Sequence, residues 1–481
     1  MSVNAAADES RGRQKPKAMS VREPVLDTSP GGLEVPAGLA AVPAKVARPA
    51  HPSADRRGWW GLTGLLVSGA VVSVTAAHTE SFLPQSIRPV PASLAGVFSG
   101  LDLNLHVAGA IAVLVLMFGS YALVVCSPAS ISARSVLIAI VALHVFVLLG
   151  PPLFSTDVFS YQAYARMGAD YGVNPYTHGP AAIRFDSVFP YVGAKWSYIA
   201  SAYGPLFTSF SYLLAPLGIA ASVVVYKSIA GAASLALVAV VWQCARLRGT
   251  DPVRAAALVG LNPLLVVYGV GGGHNDLLML LAVALAVWAV LLGRERSGGA
   301  LTMLAIAIKL TAGLVLPFAL AAEGPHRGQG RRRRLALGAL AGLAAVAALS
   351  FAVFGSGAFH LLATVRQSQS EGDWESIPGV IGTRIGLPGV GRIVGDVLAV
   401  GFVIVTCRLL VSVWRGTIDW IDGAGWATLA LLIAASSLLP WYVAWMLPFA
   451  ALARGRRLAQ TALVMTGIVQ GIQLLGYVPH G

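Results

Sequence analysis

The sequence predicts an all-α polytopic membrane protein, and three observations carry that prediction. Of 481 residues, 56% are hydrophobic and only 11% charged, whereas a soluble globular chain carries roughly 25% charged residues. The mean hydropathy is +0.72. Apolar runs long enough to cross a bilayer, roughly 20 residues each, recur along almost the whole length. Because they are continuous rather than alternating, a membrane β-barrel is excluded.

Charge and cysteine content narrow the function classes. The formal net charge is +13, but the basic residues sit in an N-terminal tail and in short loops between apolar runs. There positive charge sets membrane orientation, so nucleic acid is not an expected partner. Cys126, Cys244 and Cys407 lie in or at the ends of apolar runs. They offer neither a disulfide framework nor metal-ligand spacing.

Taken in chain order, residues 1–56 are rich in Ala, Pro, Ser and charge. They lack the apolar content that would offset ordering entropy, which predicts a disordered tail. Arg56-Arg57 before Trp59-Trp60 reads as a cytoplasmic charge and aromatic anchor, leaving residues 57–481 as one membrane module. Three crossings follow, Gly61–Ala77, Leu103–Val125 and Ser135–Pro152, so the stretch from Phe154 to about Tyr203 is external. Its Tyr, Trp and Phe content suits short interfacial helices.

Simple counting then fails. Arg246, Arg248 and Arg254, Arg294 and Arg296, and Arg331–Arg334 share the inner face only under two conditions. Tyr203–Leu217 has to lie along the outer surface, and Gly299–Ala322 has to be a re-entrant hairpin turning near Lys309. Non-helical backbone at membrane depth is tolerated only where it lines a protein cavity, so the hairpin points to a site. The remaining spans read as Val223–Ala245, Ala255–Val270, Asp276–Leu292, Leu335–Phe354, Ile393–Val413, Trp426–Leu439, Val443–Ala453 and Ala459–Tyr477. Gly355–Gly391 is external in this scheme. About 11–13 transmembrane or re-entrant helices result.

The external face collects the candidate chemistry. Asp157, in Ser155-Thr-Asp157-Val-Phe-Ser-Tyr161, follows the third span and opens the first large loop, which also holds Arg166, Asp170, Arg184, Asp186 and Lys195. Gly271-Gly-Gly-His-Asn-Asp276 joins two spans; its glycines permit a tight turn, and an acid at the head of a span is a functional candidate by default. The later loop holds Arg366, Glu371, Asp373, Glu375 and Arg384. Carboxylates supply a general base or a metal ligand, and arginines grip phosphate. Lys309, surrounded by apolar residues, either snorkels to the interface or reaches a phosphate. Pro440-Trp-Tyr-Val-Ala-Trp445 suits either an interface belt or a sugar platform.

Thr156-Asp157-Val-Phe-Ser-Tyr161 with Asn174-Pro175-Tyr176, the Gly271–Asp276 turn and Pro440-Trp441-Tyr442 occur here in one chain. Together they resemble the GT-C superfamily of polyprenol-phosphate-dependent glycosyltransferases. They are most similar to its actinobacterial α-(1→6)-mannopyranosyltransferases of lipomannan synthesis, over about residues 59–478. The resemblance implies a GT-C-type bundle with external interfacial helices, in a multi-pass plasma-membrane protein whose active site faces outside. It implies mannose transfer from polyprenyl-phosphate mannose to a mannan or lipid-linked mannan acceptor, with inversion. Asp157 falls at the place of the catalytic base. Tyr161, Arg166, Tyr203 (in Tyr203-Gly-Pro-Leu206), His274, Asn275, Asp276, Lys309, Arg384, Trp441 and Tyr442 are the substrate-binding candidates. The Asp-X-Asp pair that some members carry is absent from the Asp157 segment, so the use of a divalent cation stays open. The donor is already activated, so no nucleotide is expected. A GT-C enzyme for another sugar or acceptor, or a lipid or sugar transporter, is the alternative.

Overall fold

A computed structural model describes residues 56–322, 329–370 and 374–477. The expected disordered tail, except Arg56, and the candidates Glu371 and Asp373 lie outside these residues. Every regular element among them is helical. The helices are α1 (Arg57–Thr75), α2 (His106–Cys126), α3 (Ala133–Leu149), α4 (Asp157–Ala169), α5 (Pro205–Tyr212), α6 (Ile219–Arg248), α7 (Pro252–Gly260), α8 (Asp276–Leu291) and α9 (Glu295–Ile308). After them come α10 (Val315–Ala321), α11 (Gln329–Phe354), α12 (Leu361–Ser370), the single turn α13 (Ile377–Gly379), α14 (Pro388–Trp414), α15 (Trp420–Ala434), α16 (Leu447–Leu452) and α17 (Arg456–Leu475).

Among the described residues six helices are long and apolar enough to cross a membrane, and a seventh crossing results if α7 and the π-helical turn Leu264–Val270, bent by 47°, count as one span. Five shorter apolar helical segments fill the bundle. The chain is thus a multi-pass membrane protein. Its helix boundaries follow local chemistry. Ser132 accepts the Ser135 N–H at the start of α3, and Asp251 accepts those of Val253 and Arg254 at the start of α7. α6 stops at Gly249, whose φ of +70° is the left-handed conformation that glycine adopts without penalty. The bend after α7 has a cause in Asn262, a buried hub. Its Oδ1 accepts from the N–H groups of Leu264 and Leu265, while its Nδ2 donates to Tyr121 and Thr466.

Several sequence boundaries move, two of them towards the C-terminal end of the chain. The run read as Trp426–Leu439 is helical from Trp420, because Asp419 caps the Ile421 N–H. The run read as Val443–Ala453 begins as a 3-10 turn at Pro440 and is α-helical only from Leu447.

The segment around Lys309 positions the site. α9 starts at Glu295, whose carboxylate receives Arg331 (2.7 Å) and Arg334 (3.1 Å) from α11. The helix breaks at Lys309, which is extended at φ −151° and ψ 126°. The chain then makes a 3-10 turn and runs back through α10, where the Leu320 carbonyl accepts from Arg332 Nε (3.1 Å). Both arms therefore begin and end beside the first turns of α11. Close helix packing holds them there: a Cβ at Gly338 would collide with the Arg296 carbonyl, the small-residue contact by which membrane helices approach. At the turn itself, the Ile308 carbonyl accepts from the Gly204 N–H (2.9 Å), joining the hairpin to the polar layer around α4 and α5.

Candidate active site

α4 presents one face to a cavity of about 120 Å³. Asp157, Ser160 and Tyr164 line it, and Tyr161 lies just behind Asp157; spacings of three, four and seven residues put all four on one side of the helix. The opposite walls come from Tyr203, from Lys309 and Thr311 at the hairpin turn, and from Tyr442 and Trp445. Burial exposes only 18% of the Asp157 side chain.

Asp157 is the first residue of α4, where the helix dipole favours negative charge; its own N–H is taken by Ser155 Oγ at 3.1 Å. His274 Nδ1 lies 3.2 Å from its Oδ2, and the Tyr161 hydroxyl 3.4 Å from the same oxygen. Burial pushes the Asp157 carboxyl up, but His274, then the Lys309 ammonium and the Tyr203 hydroxyl, outweigh it. The net effect holds the acid below its ordinary carboxylate value, so it is ionised at neutral pH.

The Gly271–Gly273 turn delivers His274. A Cβ on Gly272 would stand 2.7 Å from His274 Nε2, and Gly273, at φ +68°, has no room for one against Val158. The imidazole folds back into that space, fully buried, and stacks on Trp441 with ring centres 3.6 Å apart. Asn275 receives the Tyr161 hydroxyl at its Oδ1 and donates its N–H back to that hydroxyl.

Asp276 and Lys309 form a second centre. The Lys309 ammonium is 2.7 Å and 2.9 Å from the two Asp276 oxygens, and Trp445 Nε1 donates to Oδ1 at 2.7 Å. Lys309 also lies over the faces of Tyr442 (4.7 Å) and Trp445 (5.2 Å). Its side chain remains 15% exposed towards the cavity, against 2% for Asp276.

Nine of the eleven catalytic and substrate-binding candidates that the resemblance supplied thus gather around one cavity: Asp157, Tyr161, Tyr203, His274, Asn275, Asp276, Lys309, Trp441 and Tyr442. Two lie elsewhere. Arg166 is engaged by Asp186 (2.7 Å) and the Leu217 carbonyl (2.9 Å). Arg384 donates to the Leu475 carbonyl and covers the Trp374 ring. Sequence reasoning passed over Ser160, Tyr164 and Thr311, although the first two repeat from Asp157 at helical spacing. It also passed over Lys227, whose ammonium donates to the Gly150 and Pro151 carbonyls (2.6 and 2.8 Å) and ties α6 to the segment leading into α4. Nothing in the apolar run around Lys227 announces that partner. Among the described residues no three His, Cys, Asp or Glu side chains gather as a metal site.

Comparison with known proteins adds the family. The N-terminal domain of α-(1→6)-mannopyranosyltransferases matches residues 57–323, and glycosyltransferase family 87 matches residues 202–475. Alpha-(1->6)-mannopyranosyltransferase A of Mycobacterium tuberculosis is 30% identical over 338 residues, 64% of this chain and 64% of that protein. Alpha-(1->6)-mannopyranosyltransferase B of Corynebacterium glutamicum is 28% identical over 351 residues, 62% of this chain and 55% of that one. The matched region spans less than two thirds of each of these relatives.

Proposed function

This chain belongs to the α-(1→6)-mannopyranosyltransferase family, and we propose that it transfers mannose from a polyprenyl-phosphate donor to the 6-hydroxyl of an α-(1→6)-mannan acceptor, with inversion. The observation that carries the reading is the placement of the Asp157 carboxylate in the wall of a cavity that also holds the Lys309 side chain and the aromatic faces of Tyr203 and Tyr442.

Asp157 takes the proton of the acceptor hydroxyl as its oxygen bonds to the anomeric carbon. The bond from that carbon to the phosphate oxygen breaks on the opposite face, and the polyprenyl phosphate leaves with the electron pair. Attack opposite a β-phosphate yields an α link. Lys309 keeps one side on Asp276 and turns its remaining donor capacity to the leaving phosphate, where charge develops. Tyr203 and Tyr442 supply faces for the sugar rings, and the buried hydroxyls of Ser160 and Thr311, which have no protein partner, supply hydrogen bonds to sugar hydroxyls. The cavity opens to the outer face of the plasma membrane, because the arginines of the opposite end belong inside.

Open membranes given labelled polyprenyl-phosphate mannose and a mannan acceptor test this. Asp157→Asn keeps the shape of the side chain and removes the base, so transfer should fall by about 10²–10⁴-fold with protein level unchanged. Most of the transfer surviving in Asp157→Asn would overturn the assignment of the base. Turnover of polyprenyl-phosphate glucose or arabinose in place of mannose would overturn the sugar.

A further inference from the structure

We infer that His274 is the positioning residue of Asp157, gripping one carboxylate oxygen so that the acid meets the acceptor hydroxyl in a fixed orientation. The inference rests on the reading of Asp157 as base.

The geometry restricts what this ring can do. His274 is fully buried, is clamped face to face on Trp441, and has its own N–H tied to the Gly269 carbonyl at 2.9 Å. Nε2 is turned back over Gly272 and meets no polar group. Nδ1 points at Asp157 Oδ2 from 3.2 Å, at an angle short of a well-formed hydrogen bond. Catalytic hydrogen bonds commonly reach full alignment only in the complex with substrate. A carboxylate only accepts, so Nδ1 is the protonated nitrogen. A buried imidazole with an unpartnered nitrogen is costly, and its one polar contact is the carboxylate. Tyr161 meets that same oxygen from α4. Neither ring group takes Oδ1. In the transfer the acceptor proton passes to the carboxylate, and His274 keeps its own.

Five groups face Asp157: His274 from the glycine turn, Tyr161 and Tyr164 from its own helix, Tyr203 from the segment before α5, and Lys309 from the hairpin turn. His274 contributes the largest opposition to burial. Its removal therefore raises the acid's titration, a consequence that packing alone would not produce.

The test compares three variants in membranes. His274→Phe keeps the stack on Trp441 and deletes the donor. His274→Asn places an amide nitrogen where Nδ1 stood. His274→Gln extends its amide towards the Nε2 position instead. His274→Phe and His274→Gln should lose about 10–100-fold in kcat, the scale of a misplaced catalytic group, with donor and acceptor KM nearly unchanged. In both, the acid limb of kcat/KM should move to higher pH, and His274→Asn should return the limb and most of the rate. An unmoved limb in His274→Phe and His274→Gln overturns the inference, as does a shifted limb that His274→Asn does not restore. Loss of yield or Tm in all three variants with the limb unmoved also overturns it, because a purely structural histidine behaves that way. If Phe fails to accumulate, Gln against Asn decides. Loss of activity in Asp157→Asn together with normal activity in His274→Phe removes only the role of His274. Normal activity in Asp157→Asn removes the base assignment and this inference with it.

Discussion

The two ends of the helical bundle treat charge in opposite ways. At the arginine-rich end the ion pairs close on one another. Arg248 reaches Asp419 at 3.0 Å and the Leu452 carbonyl at 2.8 Å, and Glu295 is shared by Arg331 and Arg334. At the cavity end the pairing is left incomplete. Ser160, Thr311, His274, Asn275 and Trp441 each keep a buried polar atom without a protein partner. A buried polar group lacking a partner costs about 1–3 kcal/mol, so a polar ligand reaching this neighbourhood would offset several such costs at once. The contrast separates charge paired within the protein from polarity that the proposed reading assigns to substrate.

Breaking the Asp276–Lys309 pair should have the largest effect. It lies at the cavity but is closed like a pair of the opposite end. Removing one member of a buried pair costs roughly 3–5 kcal/mol. Asp276→Asn should therefore lower Tm and yield as well as transfer, and joining it to Lys309→Met should recover much of the stability while transfer stays low. If Lys309→Met alone leaves donor KM and kcat at the wild-type level, the ammonium has no phosphate to meet. Arg248→Met sharpens the comparison: it should reduce stability by a similar mechanism yet leave transfer per folded molecule intact.

A smaller effect is expected at the unpartnered hydroxyls. Ser160→Ala and Thr311→Val remove buried atoms that have no protein hydrogen bond, so stability should hold or rise slightly. Transfer should fall by about tenfold for each lost sugar contact. Unchanged transfer with raised stability would mean that those hydroxyls meet no substrate.

The smallest perturbation maps the ends themselves. In a background lacking the three native cysteines, a cysteine at Ser187, exposed near α4, should label from outside the cell. One at Thr417, exposed beside α15 at the arginine-rich end, should label only after the membrane is opened. The reverse pattern would invert the proposed orientation. Near Ser187, acid titration adds a second readout. Burial pushes Asp186 up, but the Val188 N–H, Tyr171 and Arg166 prevail and hold it below its ordinary value. Its contribution is therefore fully present above the ordinary carboxylate range and fades as pH falls through the lowered folded value. Arg166→Gln should shrink that acid-side loss of Tm.

Much of this arrangement could be read from local pattern. Asp157 stands out because it directly follows an apolar run. Likewise, the reversal at Lys309 follows from which face the neighbouring arginines must share. The aromatic Pro440–Trp445 segment marks itself by composition. The roles of individual cations were harder to read: Arg166 and Arg384 look like phosphate ligands in a string of letters, yet both find protein partners.

Hydropathy, run length and the placement of arginines are additive along the chain, and they suffice to specify an all-helical membrane bundle with a polar layer opening at Asp157. Pairing is not additive. Lys309 meets Asp276 from 33 residues away and Trp445 reaches the same carboxylate across 169, while His274 is brought to Asp157 by a turn that only glycines permit. Each of these contacts depends on how helices remote in sequence pack against one another. In an apolar medium an ionised group is strongly selective about the single neighbour that satisfies it, and only the assembled bundle supplies that neighbour.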